Sequence, residues 1–135
     1  MKLDHVGLNV EDLGAMTAWY VDALQLEVEF EVVLDQVQLS IVMLRSPDGY
    51  RVELLSRPGS VAGIQAANPV EAALTRGFGH IALDVPDVDT AYAALLAVGA
   101  TDRMSPRPSP EPGVRMAFVA DPEGNLIELL DRTTS

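Results

Sequence analysis

Only two histidines occur in the chain, His5 and His80, and they stand 75 residues apart. Two glutamates, Glu53 and Glu128, stand the same 75 residues apart. Imidazole nitrogens and carboxylate oxygens form a hard-to-borderline donor set, which suits Zn, Ni, Co, Mn or Fe better than calcium. Cysteine is absent, so thiolate metal sites, disulfides and a cysteine nucleophile are excluded. Four such donors leave two positions of an octahedral ion open to water or substrate. A carbonyl or enediolate bound there is polarised, and a carboxylate that leaves the ion can act as a base. A single His or Glu on a strand is ordinarily just solvated. Matched placement of both residue types is what raises the metal reading above that one.

The spacing reflects an internal repeat. Residues 4–13, DHVGLNVEDL, align with 79–88, GHIALDVPDV. Residues 46–55, SPDGYRVELL, align at the same offset with 121–130, DPEGNLIELL. Nine of these twenty positions are identical, where composition alone would give about one or two. The chain is therefore read as one domain over 1–135, with module 1 at 1–57, a Pro- and Gly-bearing linker at 58–75, and module 2 at 76–132.

Each module reads as β-α-β-β-β. The first strands are Leu3–Val10 and Gly79–Val85. Acidic N-cap residues, Asp12 and Asp87, open helices over Leu13–Leu24 and Val88–Val98. Further strands are expected at Glu27–Leu34, Val37–Arg45 and Tyr50–Leu55, and in the second copy at Thr101–Ser105, Val114–Ala120 and Asn125–Leu130. The last two strands of each copy meet through Ser46-Pro-Asp-Gly49 and Asp121-Pro-Glu-Gly124, with proline and glycine where a type I turn in a hairpin wants them. The fold class is α+β: two tandem βαβββ modules, which together can close an open, eight-stranded, cup-like barrel.

Strand alternation gives these residues a direction. Val6, Leu8 and Val10 share one face, and His5, Gly7 and Asn9 the other. Ile81, Leu83 and Val85 oppose His80, Ala82 and Asp84. Val52 and Leu54 oppose Glu53, and Ile127 and Leu129 oppose Glu128. Each module thus offers one histidine and one glutamate on the face away from its helix. Pairing of the modules about a pseudo-twofold axis would bring the four together. Asn9 and Asp84 share that face and are candidate substrate-binding or supporting residues. Arg107, on the proline-rich stretch 105–113, is the candidate for an anionic substrate tail. That stretch reads as a stiff, extended surface connector rather than a lid. Trp19, Tyr20, Tyr92, Met43 and Met116 read as core.

Composition bounds the function. Hydrophobic residues make up 48% and charged residues 21%, as in a folded soluble domain. Twenty acidic residues against nine basic ones give a net charge of −11. So acidic a chain is a poor partner for nucleic acid or an anionic membrane. Lys2 is the only lysine, which argues against Schiff-base chemistry. Asp4 and Glu11 interrupt any apolar leader, so a cytoplasmic location is expected.

At these residues the sequence resembles the vicinal-oxygen-chelate superfamily, which includes glyoxalase I, methylmalonyl-CoA epimerase, extradiol dioxygenases and the fosfomycin- and bleomycin-resistance proteins. The resemblance spans nearly the whole chain. It rests on the paired modules, on Trp19-Tyr20 in the first helix, and on the endings SPDGYRVELL and DPEGNLIELL. His5, Glu53, His80 and Glu128 are similar to the His-Glu-His-Glu ligand set of glyoxalase I. The resemblance implies one divalent transition metal, Glu53 and Glu128 as proton-transfer bases, and a lyase or isomerase acting on a small α-oxo or thiol-adduct substrate. It also implies a low-molecular-weight thiol co-substrate and a homodimer. Asn9 stands where many bacterial glyoxalases carry an arginine, and Arg57 where they often carry asparagine, which speaks against glutathione as that thiol. The alternatives are a metal-free drug-binding resistance protein, an extradiol-type dioxygenase and an acyl-CoA epimerase. An extradiol site would need a further histidine as acid and base, and an epimerase usually carries glutamine at the Glu53 position.

Overall fold

The computed structural model describes residues 1–132. The chain divides into two compact units, Met1–Val61 and Ala62–Ser135. Both are βαβββ modules of an α+β fold, and each carries one four-stranded mixed sheet.

In the first unit the elements are β1 (Val6–Asn9), α1 (Leu13–Ala23), β2 (Glu27–Leu34), a 3-10 turn (Asp35–Val37), β3 (Leu39–Arg45) and β4 (Arg51–Ser56). Asp12 caps α1, its carboxylate accepting from the Ala15 N–H at 2.9 Å. The strand order is β1-β4-β3-β2, with β1 parallel to β4 and the other pairs antiparallel. Along β4, Val52 and Leu54 are buried while Arg51, Glu53 and Leu55 are only half-buried. Helix α1 packs on β3 and β4. Its Met16 and Tyr20 are buried with Leu44, Val52 and Leu54 of those strands. Each such side chain contributes about 1.5–3 kcal/mol of hydrophobic stabilisation. Covering one face this way leaves Glu53 on the other.

The second unit repeats the plan with β5 (His80–Asp84), α3 (Val88–Ala97), β6 (Thr101–Pro108), β7 (Arg115–Ala120) and β8 (Leu126–Leu130). Asp87 caps α3 by accepting from the Thr90 N–H at 2.9 Å. The sheet order is β5-β8-β7-β6, again with a parallel first pair. Helix α3 packs on β6, β7 and β8, whose Ala117, Val119, Ile127 and Leu129 are essentially inaccessible.

The two hairpin turns have the expected chemistry. The Gly49 N–H donates to the Ser46 carbonyl at 3.0 Å, and the Gly124 N–H to the Asp121 carbonyl at 2.9 Å. Both glycines hold a left-handed backbone, φ +98° and +90°. Asp121 is buried, and its carboxylate accepts from the N–H groups of Glu123 and Asn125. In the first copy the Ser46 hydroxyl plays this part for the Asp48 N–H.

Strand β1 begins at Val6 rather than Leu3, and β3 at Leu39 rather than Val37; two stretches differ more from expectation. The linker 58–75 is not a bare connector. From Ala62 onward it belongs to the second unit, and it carries a short helix, α2 (Pro69–Ala72), capped by Asn68. Ala66 and Ala72 are buried against Ala120 and Leu126, with Ile64 packed beside them. Strand β6 runs on through Pro106 to Pro108, so half of the proline-rich connector is strand. It lies at its sheet's edge, where a residue without an N–H is tolerated, and its pairing is irregular on both sides of Met104. No helix among the described residues is long and apolar enough to cross a membrane.

Candidate functional site

In the first unit the register sets Gly7 opposite Glu53, Glu53 opposite Met43, and Met43 opposite Phe30. His5 immediately precedes β1, one residue before the first pair, Val6 with Val52. Its Nε2 lies 3.6 Å from Glu53 Oε1. Gly7 lies beside the pair, and a Cβ there would meet the same oxygen at 3.5 Å, an ordinary van der Waals contact. On the far side of the ring, Nδ1 and Asp4 Oδ2 are 2.7 Å apart. A proton on Nδ1 donated to Asp4 frees the Nε2 lone pair to face Glu53. The Asp4 hydrogen bond is the main reason the His5 pKa is raised, with Glu53 adding to it and desolvation opposing it. The Asp4 carboxyl is held below its ordinary range by the same bond.

Arg51 lies two residues before Glu53. It donates through Nε to Glu29 Oε2 at 2.7 Å and through Nη2 to Glu29 Oε1 at 3.3 Å. Its Nη1 is 3.9 Å from Asp4. This pairing keeps the Glu29 carboxyl below its ordinary range. Asp4, Arg51 and Glu29 thus form a charge network beside His5 that no single motif announced. Glu29 sits at the irregularity between the Val28 and Phe30 pairs. Arg51 shares strand parity with Glu53, and that was the available signal.

The second unit builds the same pair differently. His80 opens β5, and Glu128 sits on β8 opposite both Ala82 and Phe118. His80 Nε2 and Glu128 Oε2 are 3.1 Å apart, within hydrogen-bond reach. The imidazole stands edge-on to Phe118, with ring centroids 5.1 Å apart and planes at 80°. Gly79 occupies the place that Asp4 holds in the first copy, so His80 is steadied by an aromatic ring rather than a neighbouring carboxylate.

Each unit therefore brings together one imidazole Nε2 and one glutamate from 48 residues apart. Glu53 and Glu128 are about a fifth exposed and the two histidines somewhat over a third, so all four are reachable from solvent. Imidazole nitrogen with carboxylate oxygen is a fitting donor chemistry for a divalent transition ion. Among the described residues no group of three or more His, Asp or Glu side chains is arranged to hold a metal ion, so within each unit the facing donors are a pair.

The remaining candidates have separate surroundings. Asn9 ends β1, exposed, opposite Leu55. Asp84 is engaged by the backbone, accepting from the Arg132 N–H at 2.9 Å. Arg107 lies on β6, and its guanidinium donates to the carbonyl of Ser105 at 3.0 Å and to the Ser105 hydroxyl at 3.4 Å. Tyr20 is core, with Trp19 edge-on against it. Met43 is buried as well.

The chain belongs to the Glyoxalase/Bleomycin resistance protein/Dioxygenase superfamily, whose family model matches residues 2–129. It is 30% identical over 132 residues to biphenyl-2,3-diol 1,2-dioxygenase 3 of Rhodococcus globerulus. That match takes in 95% of this chain but only 62% of the relative's length. Among solved structures, a glyoxalase family protein from Enterococcus faecalis superposes with a TM-score of 0.80 at 24% identity, over 96% of this chain and 97% of that one. The trypanothione-dependent glyoxalase I of Leishmania major gives a TM-score of 0.73 at 26% identity, over 99% and 88% of the two chains. The fosfomycin resistance protein FosX from Listeria monocytogenes, solved with Mn(II) and sulfate, gives 0.67 at 19%, over 98% and 93%. The superfamily's own description spans glyoxalases, resistance proteins and dioxygenases, so it is not confined to one reaction type.

Proposed function

We propose that this protein is a divalent-metal-dependent lyase or isomerase of the glyoxalase I type. It moves a proton between adjacent carbons of a small α-oxo or thiol-adduct substrate. The observation that carries the reading is the repeated pair: both modules set an imidazole Nε2 against a glutamate carboxylate, at 3.6 Å and 3.1 Å, on the sheet face away from the helix. His5, Glu53, His80 and Glu128 are the proposed donors to one Zn, Ni, Co, Mn or Fe ion. When bound, the ion supplies Lewis acidity that polarises a substrate oxygen. Asp4 fixes the His5 tautomer through Nδ1. Glu53 and Glu128 take up and return the substrate proton on their carboxylate oxygens. Asn9 and Asp84 border the same faces. A low-molecular-weight thiol co-substrate, a homodimeric assembly and a cytoplasmic location complete the proposal, and the −11 charge argues against nucleic acid and anionic membranes as partners.

The test is elemental analysis of untagged protein, before and after EDTA treatment and reconstitution. About one transition-metal ion per chain is expected. His5→Ala and His80→Ala should each abolish uptake. In the loaded protein, hemithioacetal conversion should vanish in the Glu53→Gln/Glu128→Gln double variant. Failure to take up metal, or conversion retained in the double variant, refutes the reading. The similarity to the Rhodococcus dioxygenase favours a second reading, ring cleavage of a catechol. Oxygen uptake with ferrous iron and 2,3-dihydroxybiphenyl would establish it in place of the first.

A further inference from the structure

Four of the eight arginines, Arg45, Arg51, Arg115 and Arg132, sit against carboxylates. In a chain with twenty acids and nine basic residues this is what electrostatics favours. Arg103 and Arg107 on β6 are different. Among the described residues Arg103 reaches only its neighbour's backbone, donating to the Asp102 carbonyl at 3.2 Å. Its Nε–H is buried and meets no acceptor among the described residues. That nitrogen is closed to solvent, so what Arg103 offers the groove is the charge of its guanidinium rather than this N–H. Arg107 is preset by its two contacts with Ser105, which orient the guanidinium without neutralising it.

Both arginines open onto a groove of about 540 Å³ between α2 and β6, within the second unit. That volume falls in the range of sites that take small organic ligands. The groove's other walls are apolar: Val70 and Leu74, 75% and 85% exposed, and Met104. Asn68 and Glu71 complete the lining. Ala66 and Ala72 anchor this segment on Ala120 and Leu126, so the wall is fixed to the sheet. Met104 pairs with Phe118, and Phe118 with Glu128, which puts the groove two strand spacings, about 10 Å, from the His80–Glu128 pair.

We propose that this groove binds a small amphiphilic carboxylate, with the carboxylate on Arg103 and Arg107 and the hydrocarbon against Val70, Leu74 and Met104. The site uses neither member of the His80–Glu128 pair, so it stands whether or not the metal-dependent reading does. Glu71 repels the anion from the α2 side and directs it toward β6.

The test is a titration of the ¹⁵N-labelled full chain in EDTA with sodium octanoate, followed by amide shifts. Saturable shifts at Val70, Leu74, Met104 and Arg107 are expected. Octan-1-ol should bind at least about tenfold more weakly, since it lacks the charge that makes such hydrogen bonds strong. The Arg103→Gln/Arg107→Gln variant should lose about tenfold in octanoate affinity, and Glu71→Gln should gain. Leu74→Gln should weaken octanoate and leave the spectrum otherwise dispersed, which covers the case of a misfolded arginine variant. Equal binding of octanol, unchanged affinity in the double arginine variant, or shifts confined to other regions would overturn the proposal. Displacement of octanoate by equimolar inorganic phosphate would also overturn it, because the apolar wall would then contribute nothing.

Discussion

The two hairpin turns offer a matched experiment on the repeat. Gly49 and Gly124 occupy equivalent positions and nearly equal backbone, φ +98° and +90°. Alanine in a left-handed conformation costs about 1–2 kcal/mol, of which about 0.4–1 is returned by the stiffer unfolded chain. Gly49→Ala should therefore destabilise by about 1 kcal/mol, because nothing lies within 4 Å of the added Cβ. At Gly124 the new Cβ would fall 2.5 Å from Gln65 Oε1. That atom ends a flexible, exposed side chain, so it swings aside instead of straining the backbone. In doing so it gives up the bond from Gln65 Nε2 to the Glu123 carbonyl, 3.2 Å long. An exposed bond of that kind is worth about 0.5–1 kcal/mol, so Gly124→Ala should cost nearly twice what Gly49→Ala costs. Urea unfolding followed by circular dichroism resolves the difference, and the Gln65→Ala background should erase it. Equal costs for the two glycines, or the same Gly124→Ala penalty with and without Gln65, would refute the reasoning. The stakes reach the candidate site. Each turn sets the register four residues before Glu53 or Glu128, and a slip of one residue would turn the glutamate to the helix face.

Three further outcomes are expected. Leu54→Ala removes a fully buried side chain under α1 and should cost about 2–5 kcal/mol by urea unfolding, whereas Glu53→Gln beside it should stay within about 0.5 kcal/mol. Asp87→Ala removes the cap of α3 and should cost about 1 kcal/mol, with faster hydrogen exchange at the Thr90 amide. Asp89 in the first turn of α3 accepts from Arg115 on β7, and that bond holds its carboxyl below the ordinary aspartate range. Its contribution to stability is therefore complete above the ordinary aspartate value and lost as pH falls through the folded one. A carbon-detected titration should show Asp89 returning to the ordinary range in Arg115→Gln.

Much of the architecture was legible because it was written twice. The helices could be placed to within a residue, since Asp12 and Asp87 are strong caps and the apolar runs behind them are helical in length. The hairpins followed from Pro and Gly at fixed offsets. What escaped was local and depended on tertiary support. Helix α2 has a sound start in Asn68-Pro69 but only four residues, and it persists because Ala66 and Ala72 are packed on the sheet. Pro106 and Pro108 read as part of a stiff connector, yet they continue the strand, because an edge strand has one side with no ladder to lose. At the candidate site, the His–Glu pairs followed from alternation and offset. The Asp4–Arg51–Glu29 network did not, because Glu29 joins it through an irregularity in the β2–β3 pairing that alternation cannot foresee. The buried, unmatched Nε of Arg103 was equally invisible, since only packing creates it.

The irregularity of β6 has a counterpart in what β2 lacks. Both strands close one side of their own four-stranded sheets. An open strand edge is a template on which another chain can pair. Strand β6 spoils that template with two prolines and two breaks in register. Strand β2 has one break and no proline, and Val28, Phe30, Val32, Val33 and Leu34 along it are exposed. Its protection is electrostatic, three glutamates at alternate positions, one of which Arg51 keeps ionised below the ordinary glutamate range. The two corresponding edge strands thus differ in what would oppose pairing with another chain. In the second copy the guard is geometric and indifferent to solvent, whereas in the first it is charge, and acid or high salt weakens it.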